Sequence, residues 1–185
     1  MNTVSRIATA ALVIFPLAAW SQPVQVPPAS GPLSAAILAA WQRAANAMPA
    51  AGEAMPADKF GFKPTPAQLS FGEILAHEAS ANESLCAAMS GAAATPNESQ
   101  AGATAPKDQL VARLRKSFEV CGAVVAKLTE SQLGDSVPFF GGRKATKARA
   151  AVALVADWSD HYAQAAMYLR ANGILPPTAQ PRPRS

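Results

Sequence analysis

Residues 70–91, SFGEILAHEASANESLCAAMSG, decide the fold class of this chain. Ser70 and Glu73 have the spacing of a capping box, in which each side chain bonds the other residue's backbone N–H at the start of a helix. Gly91 ends the segment, at the position where glycine commonly terminates a helix. The stretch therefore predicts a helix that starts at Ser70 and continues to the residue before Gly91.

Three further segments have the apolar spacing and the boundaries of helices, at about residues 32–48, 106–128 and 146–172. Pro49 and Pro56 are predicted to end the first of them, because proline lacks the N–H that a helix interior needs. The connections between the helices contain no strand pattern. The predicted inward-facing side chains are Leu33, Ile37, Leu38 and Trp41 on the first helix and Leu110, Leu114, Phe118 and Val125 on the third.

The connections at residues 91–105 and 129–144 are long for a compact domain. A long crossover lets two consecutive helices run parallel, as it does in several bundle topologies. The pattern of elements therefore predicts an all-α fold, a four-helix bundle with at least one such crossover.

Composition supports a small helical protein and excludes several functional classes. Alanine, the best helix former, supplies 43 of the 185 residues, and aromatic residues supply only 6%. The apolar fraction of 50% and the net charge of +4 argue against a disordered chain. Charged residues make up 15%, and no stretch interleaves Lys and Arg with aromatic residues. We therefore expect no nucleic-acid partner.

The amino-terminal residues have the pattern of a secretory signal peptide. A short basic segment at residues 1–6 precedes an apolar segment at residues 7–20, and Ala19 and Ser21 are the small residues of a cleavage site. The alternative, a membrane anchor, is disfavoured because the apolar segment is short for crossing a bilayer. We predict an exported protein, periplasmic or secreted, with no membrane contact after cleavage.

These boundaries divide the chain into four predicted parts. Residues 1–21 form the signal peptide and residues 22–32 a proline-rich spacer. Residues 33–177 form the bundle, and residues 178–185 form a flexible tail.

Cys86 and Cys121 are the only cysteines, and both fall in predicted helices. An exported protein matures where disulfides persist, so we predict that the two form one. Two buried free thiols are the alternative. A catalytic thiol is the least favoured interpretation, because no base is evident beside either position.

Two histidines, His77 and His161, are the candidate metal ligands. Asp157 precedes His161 by four residues, so the two side chains project from one helix face. With His77 from a facing antiparallel helix, they would form a site of two imidazoles and one carboxylate for Zn²⁺, Ni²⁺, Fe²⁺ or Mn²⁺. The spacing alone is weak evidence, since such pairs are common on solvated helices. Glu78 is predicted to point about 100° away from His77 and is not assigned to the site.

The chain resembles the DinB/YfiT-like superfamily of helical bundles, and in particular its exported bacterial members. The resemblance covers about residues 33–177 and agrees in the order, spacing and helix placement of its motifs. The segments that carry it are residues 55–66 (MPADKFGFKPTP), 71–77 (FGEILAH), 138–144 (PFFGGRK), 157–164 (DWSDHYAQ) and 168–177 (YLRANGILPP).

The resemblance implies an up-down-down-up bundle that holds a divalent metal cation. The family takes one histidine from the second helix and an H-x-x-x-H pair from the fourth. By position, His77 matches the first ligand and His161 the last. Asp157 stands where the family has its middle histidine. A carboxylate there can still bind a metal and favours harder cations.

Two classes of function are left open by the sequence. One is a metal-dependent hydrolase or a thiol-transferase-like enzyme that acts on a small-molecule substrate. The other is a non-catalytic exported bundle with a degenerate metal site, serving an interaction or structural role. No separate general base is evident. An open apolar pocket beside His77 would favour the enzyme, and a filled core there would favour the non-catalytic class. A homodimer formed through alanine-rich faces is a further expectation.

Overall fold

A computed structural model describes residues 31–92 and 104–181. It contains four long helices, α1 (Pro32–Ala54), α2 (Phe71–Ser90), α3 (Lys107–Val125) and α4 (Lys147–Ala171). A two-stranded sheet, β1 (Ser136–Phe139) and β2 (Arg143–Thr146), precedes α4. Four predicted segments lie wholly or partly outside the described residues. They are the signal peptide at residues 1–21, most of the spacer at residues 22–32, part of the connection at residues 91–105, and residues 182–185 of the tail.

Helices α2 and α3 run parallel, which the order of their contacts shows. The amide of Asn82 donates a hydrogen bond to the hydroxyl of Ser117 over 3.1 Å. One turn further along both helices, Cys86 and Cys121 form a disulfide with 5.2 Å between their Cα atoms. The residue numbers rise together on the two helices. The connection between α2 and α3 is therefore a crossover.

Helix α1 runs antiparallel to α3. The indole N–H of Trp41 donates to the carbonyl of Phe118 over 3.0 Å, near the middle of both helices. At the end of α1, the carbonyl of Glu53 accepts from the ammonium of Lys107, the first residue of α3. Residue numbers rise on one helix as they fall on the other, so α1 and α3 point in opposite directions.

Helix α4 runs antiparallel to α2. The hydroxyl of Tyr168, near the end of α4, donates to the carbonyl of Leu69, just before α2 begins. His77, early in α2, faces Asp157 in the middle of α4. Helix α4 is therefore parallel to α1, and the order of directions is up-down-down-up. The all-α bundle and its crossover are confirmed.

The first helix is longer than predicted, because Pro49 lies inside it rather than at its end. A proline in a helix removes one backbone hydrogen bond, and tertiary packing can offset that loss. The last turn of α1 is packed in this way: Ala51 is fully buried, and Gly52 lies directly against Leu75 of α2. Leu33, predicted to face the core, is instead 39% exposed in the first turn of α1.

The prediction that the connections contain no strand is wrong for residues 136–146. Strands β1 and β2 pair antiparallel, with Val137 opposite Ala145. Gly141 and Gly142 make the turn with positive φ angles of 66° and 70°, which glycine adopts without steric cost. Pro138 and the basic residues of β2 hide the alternation of apolar and polar residues that would have indicated a strand.

The start of the predicted flexible tail is instead folded against the bundle. Pro176 is buried, and Pro177–Ala179 form a short 3₁₀ turn. The hydroxyl of Thr178 accepts a hydrogen bond of 2.8 Å from Tyr162, and Tyr162 accepts one from the Thr178 N–H. Within residues 31–92 and 104–181, no helix combines the length and the apolar character that crossing a membrane requires.

Candidate metal centre

The capping box places His77. The hydroxyl of Ser70 accepts from the N–H of Glu73 over 3.2 Å, and the Glu73 carboxylate accepts from the N–H of Ser70 over 2.6 Å. Both hydrogen bonds fix where α2 starts, and with it which residues face α4. The side chain of His77 lies at the edge of the groove between these helices and is 45% exposed.

Asp157 and His161 come from one face of α4. Thr146 caps this helix by accepting from the N–H of Arg149, which sets the phase of the turns that follow. The Asp157 side chain is 23% exposed and the His161 side chain only 10%. Exposure therefore falls steadily from His77 through Asp157 to His161.

The structure brings the three predicted ligands together. One ligand atom of His77, one of Asp157 and one of His161 all lie within 4.8 Å of one another. Nε2 of His77 is 3.8 Å from Oδ1 of Asp157, and the two imidazole rings stack with their centres 4.6 Å apart. Ligand atoms about 2.1 Å from a shared ion lie roughly 3–4 Å apart, so a small side-chain adjustment would suffice.

Nδ1 of His161 is held by the backbone. It lies 2.9 Å from the carbonyl oxygen of Asp157, one turn earlier on α4. A carbonyl oxygen can only accept, so the neutral ring carries its proton on Nδ1. The lone pair is then on Nε2, as is usual for a metal-binding histidine whose other nitrogen is hydrogen-bonded.

Asp157 has an oxygen that fits a cation. Its Oδ2 is buried and has no hydrogen-bond partner among the described residues. An unpartnered buried carboxylate oxygen is costly unless a positive charge or a donor compensates it. Two imidazoles and one carboxylate are a donor set that zinc and neighbouring divalent metals use. The residues present therefore fit a divalent cation.

Proximity to Asp157 shifts the ionisation of the other groups. A hydrogen bond to Asp157, with its charge, raises the pKa of His77, although partial burial opposes this. Burial raises the pKa of Glu78 well above its usual value, and the charge of Asp157 raises it further. The Asp157 carboxylate thus favours the protonated form of His77 and disfavours the ionised form of Glu78.

Glu78 is the residue of this site that the sequence argument missed. It does point away from His77, as expected, but that direction leads into the core beside α4. Its Oε2 lies 3.6 Å from Nδ1 of His161. A signal was present in the sequence, because Glu78 occupies a position of the buried stripe of α2. The buried large side chains of that stripe are Phe71, Ile74, Leu75, Glu78, Asn82, Leu85 and Met89.

Beneath the site the core is filled by a polar network. The indole N–H of Trp158 donates to the Asn82 side chain over 2.7 Å, and Asn82 in turn donates to Ser117. Two cavities of about 290 and 500 Å³ lie elsewhere in the described part of the chain, and His77 lines neither.

Comparison with known proteins places the chain in a family. The sequence profile of the DinB superfamily matches residues 40–165, which is more than half of the chain. No curated protein matches the sequence. Solved structures of DinB-like proteins are similar to it, and two of them are described here. A DinB-like protein from Bacillus cereus is 14% identical, with a TM-score of 0.60 over 76% of this chain and 93% of that one.

The second is a DinB-like protein, YjoA, from Bacillus subtilis, which is 21% identical. Its TM-score is 0.59, over 80% of this chain and 99% of that one. Identities this low show a shared fold, while the profile match shows the family. The chain therefore belongs to the DinB superfamily.

Proposed function

We propose that this protein is an exported member of the superfamily that binds one divalent metal cation through His77, Asp157 and His161. The observation that supports this most is the convergence of three ligand atoms, from two antiparallel helices, within 4.8 Å of one another. The buried and unpartnered Oδ2 of Asp157 supports it independently. Zn²⁺, Ni²⁺, Fe²⁺ and Mn²⁺ are the candidate cations, because all of them accept imidazole and carboxylate ligands.

Elemental analysis of the purified protein tests this proposal. We expect about one divalent cation per chain, lost in both His77→Ala and His161→Ala while the helical circular-dichroism signal is retained. Gln109→Ala is a suitable control, because Gln109 is an exposed side chain at the start of α3. A protein that takes up none of the four cations after reconstitution would contradict the proposal.

Export is supported by the signal-like pattern of residues 1–21 and by the disulfide between Cys86 and Cys121. Disulfides persist chiefly outside the reducing cytoplasm. The intact mass of protein recovered from a bacterial host tests this: we expect the loss of residues 1–21. Retention of all 185 residues would contradict it.

His77 lines neither of the two described cavities, which by the pocket criterion supports the non-catalytic class, whereas the exposed edge of the site supports the enzymatic one. His77 lies at the solvent boundary, so a small molecule can approach from that side. A bound cation would supply Lewis acidity there. We propose a metal-dependent hydrolase or a thiol-transferase-like activity on such a molecule. A screen of ester, amide and thiol-transfer substrates with the metal-loaded protein, and with His161→Ala as control, tests it. Turnover that is equal in both proteins, or absent, would favour the non-catalytic class.

A further inference from the structure

A cavity of about 290 Å³ lies between α1 and α4, and we call it the α1–α4 cavity. Side chains of both helices line it, and a residue of the 3₁₀ turn Pro177–Ala179 forms a third wall. None of the candidate metal ligands, His77, Asp157 and His161, lines it. The α1–α4 cavity is therefore a site separate from the candidate metal centre.

The walls of the α1–α4 cavity are mostly apolar. Helix α1 contributes Ala40, Ala44 and Ala47, and α4 contributes the aromatic side chains of Trp158 and Tyr162. A space of this volume equals about ten water molecules at roughly 30 Å³ each, which is room for a compound of one or two rings. Concave, mainly apolar sites with a few polar groups are typical of small-molecule binding, and aromatic side chains pack well against a ligand ring.

The polar groups at the cavity that still have a proton to donate indicate the charge of a ligand. Arg43 is exposed, and its guanidinium has no hydrogen-bond or ion-pair partner among the described residues. The Thr178 hydroxyl accepts from Tyr162 over 2.8 Å and keeps its own proton for donation. The Ser159 hydroxyl already donates to the carbonyl of Val155 over 2.9 Å. No acidic side chain lines the cavity, so an anionic oxygen fits there and a cation does not.

We propose that the α1–α4 cavity binds a small aromatic carboxylate. The ring packs against Ala44, Trp158 and Tyr162, and the carboxylate accepts hydrogen bonds from Arg43 and Thr178. A guanidinium can bind a carboxylate through two parallel charge-assisted hydrogen bonds, which gives this anion an advantage over a neutral group of the same shape. The proposal does not depend on metal binding, because the two sites share no residue.

Isothermal titration calorimetry of the full chain with 2-naphthoate tests the proposal, and 2-naphthamide is the uncharged compound of the same shape. We expect one molecule of 2-naphthoate per chain, with an affinity about 3–10-fold higher than that of the amide. Arg43→Gln should weaken binding of the acid by a similar factor and leave binding of the amide unchanged. The preference for the acid should therefore disappear in this variant.

Arg143→Gln is the matched control, because Arg143 is exposed in β2 and its loss changes the net charge equally. This variant should keep the full preference for the acid. Ala44→Leu tests the apolar wall, since the larger side chain fills the cavity. Binding of both compounds should be lost in this variant while the helical circular-dichroism signal is retained.

Four results would overturn the proposal. The first is an affinity for the acid within twofold of that for the amide, or a preference that survives Arg43→Gln. The second is no binding of either compound. The third is binding of the acid that EDTA abolishes, because the carboxylate would then lie on the metal centre. The fourth is binding that appears only after removal of residues 182–185, which would show that this segment of the chain occupies the cavity.

Discussion

Buried polar side chains of α2 connect the helices beneath the candidate metal centre. Asn82 is completely buried, and its side-chain amide makes two hydrogen bonds. The oxygen accepts from Trp158 on α4, and the nitrogen donates to Ser117 on α3. A buried polar group stabilises a fold only when its hydrogen bonds are satisfied. Asn82 meets this condition, whereas Glu78, one turn earlier, does not. The two neighbouring polar positions of the stripe therefore differ: the hydrogen bonds of Asn82 are satisfied within the described part of the protein, and those of Glu78 are not.

Replacing Asn82 with Ala should lower the free energy of unfolding by about 3 kcal/mol, because it leaves the Trp158 N–H unpaired and opens a cavity. Urea denaturation followed by circular dichroism measures this. Ser117→Ala is the comparison, and we expect a loss of about 1 kcal/mol, because the Asn82 amide then lacks an acceptor while Trp158 keeps its partner. Equal losses in the two variants would contradict the assignment of Trp158 as the main partner of Asn82.

Among the elements, α2 is the one whose boundaries were predicted best. Its start at the capping box and its end before Gly91 are both confirmed, and Gly91 has a positive φ of 78°. Local hydrogen bonds and backbone conformation decide these two ends, so a single sequence contains the necessary information. The end of α1 was missed because packing of Gly52 against neighbouring helices decides it, and such contacts are not visible in a local pattern.

The charge of Glu73 should make the stability of α2 depend on pH. The hydrogen bond from the Ser70 backbone, followed by the contact with Lys63, lowers the pKa of Glu73 from 4.5 to about 2. A lowered pKa means that the folded protein favours the ionised form. The stabilisation is therefore present in full above about pH 4.5 and is lost as the pH falls toward 2. Because the side chain is 35% exposed, we expect solvent to weaken the effect.

Glu73→Gln tests this dependence, since Gln can keep the capping box but lacks the charge. We expect the variant to be less stable than the unmodified protein by about 1 kcal/mol at pH 7. That difference should shrink as the pH is lowered from 4.5 to 3. Glu119→Gln is the control for loss of an exposed carboxylate on a helix surface. A Glu73→Gln difference that is constant between pH 7 and pH 3 would show that the charge of Glu73 does not stabilise the fold.

For the whole molecule, the sequence predicts the helices, whose apolar pattern recurs over many residues. It does not predict the positions of side chains that depend on a few long-range contacts. The four helices and a crossover follow from apolar periodicity and long connections, the up-down-down-up order follows from the resemblance to the superfamily, and the structure agrees with both. The position of Glu78 against α4 could not be derived, because it depends on the rotation of two helices about their axes. The same limit applies to Thr178, whose contact with Tyr162 joins residues that no local pattern relates.

The disulfide fastens the crossover pair α2 and α3 at the end away from His77. It closes a loop of 35 residues, and such a constraint on the unfolded chain typically contributes about 3–4 kcal/mol. We expect a double Cys86→Ala and Cys121→Ala variant to lose about that much stability in urea denaturation. The bundle should persist, because Asn82 and Ser117 still join the two helices.

Thiol titration of the unmodified protein under denaturing, non-reducing conditions should find no free thiol. The double cysteine variant should contain as much metal as the unmodified protein, because His77 lies nine residues, more than two helical turns, before Cys86. Two reactive thiols would show that the disulfide is not formed, and loss of metal in the double variant would show that the cysteines contribute to the site.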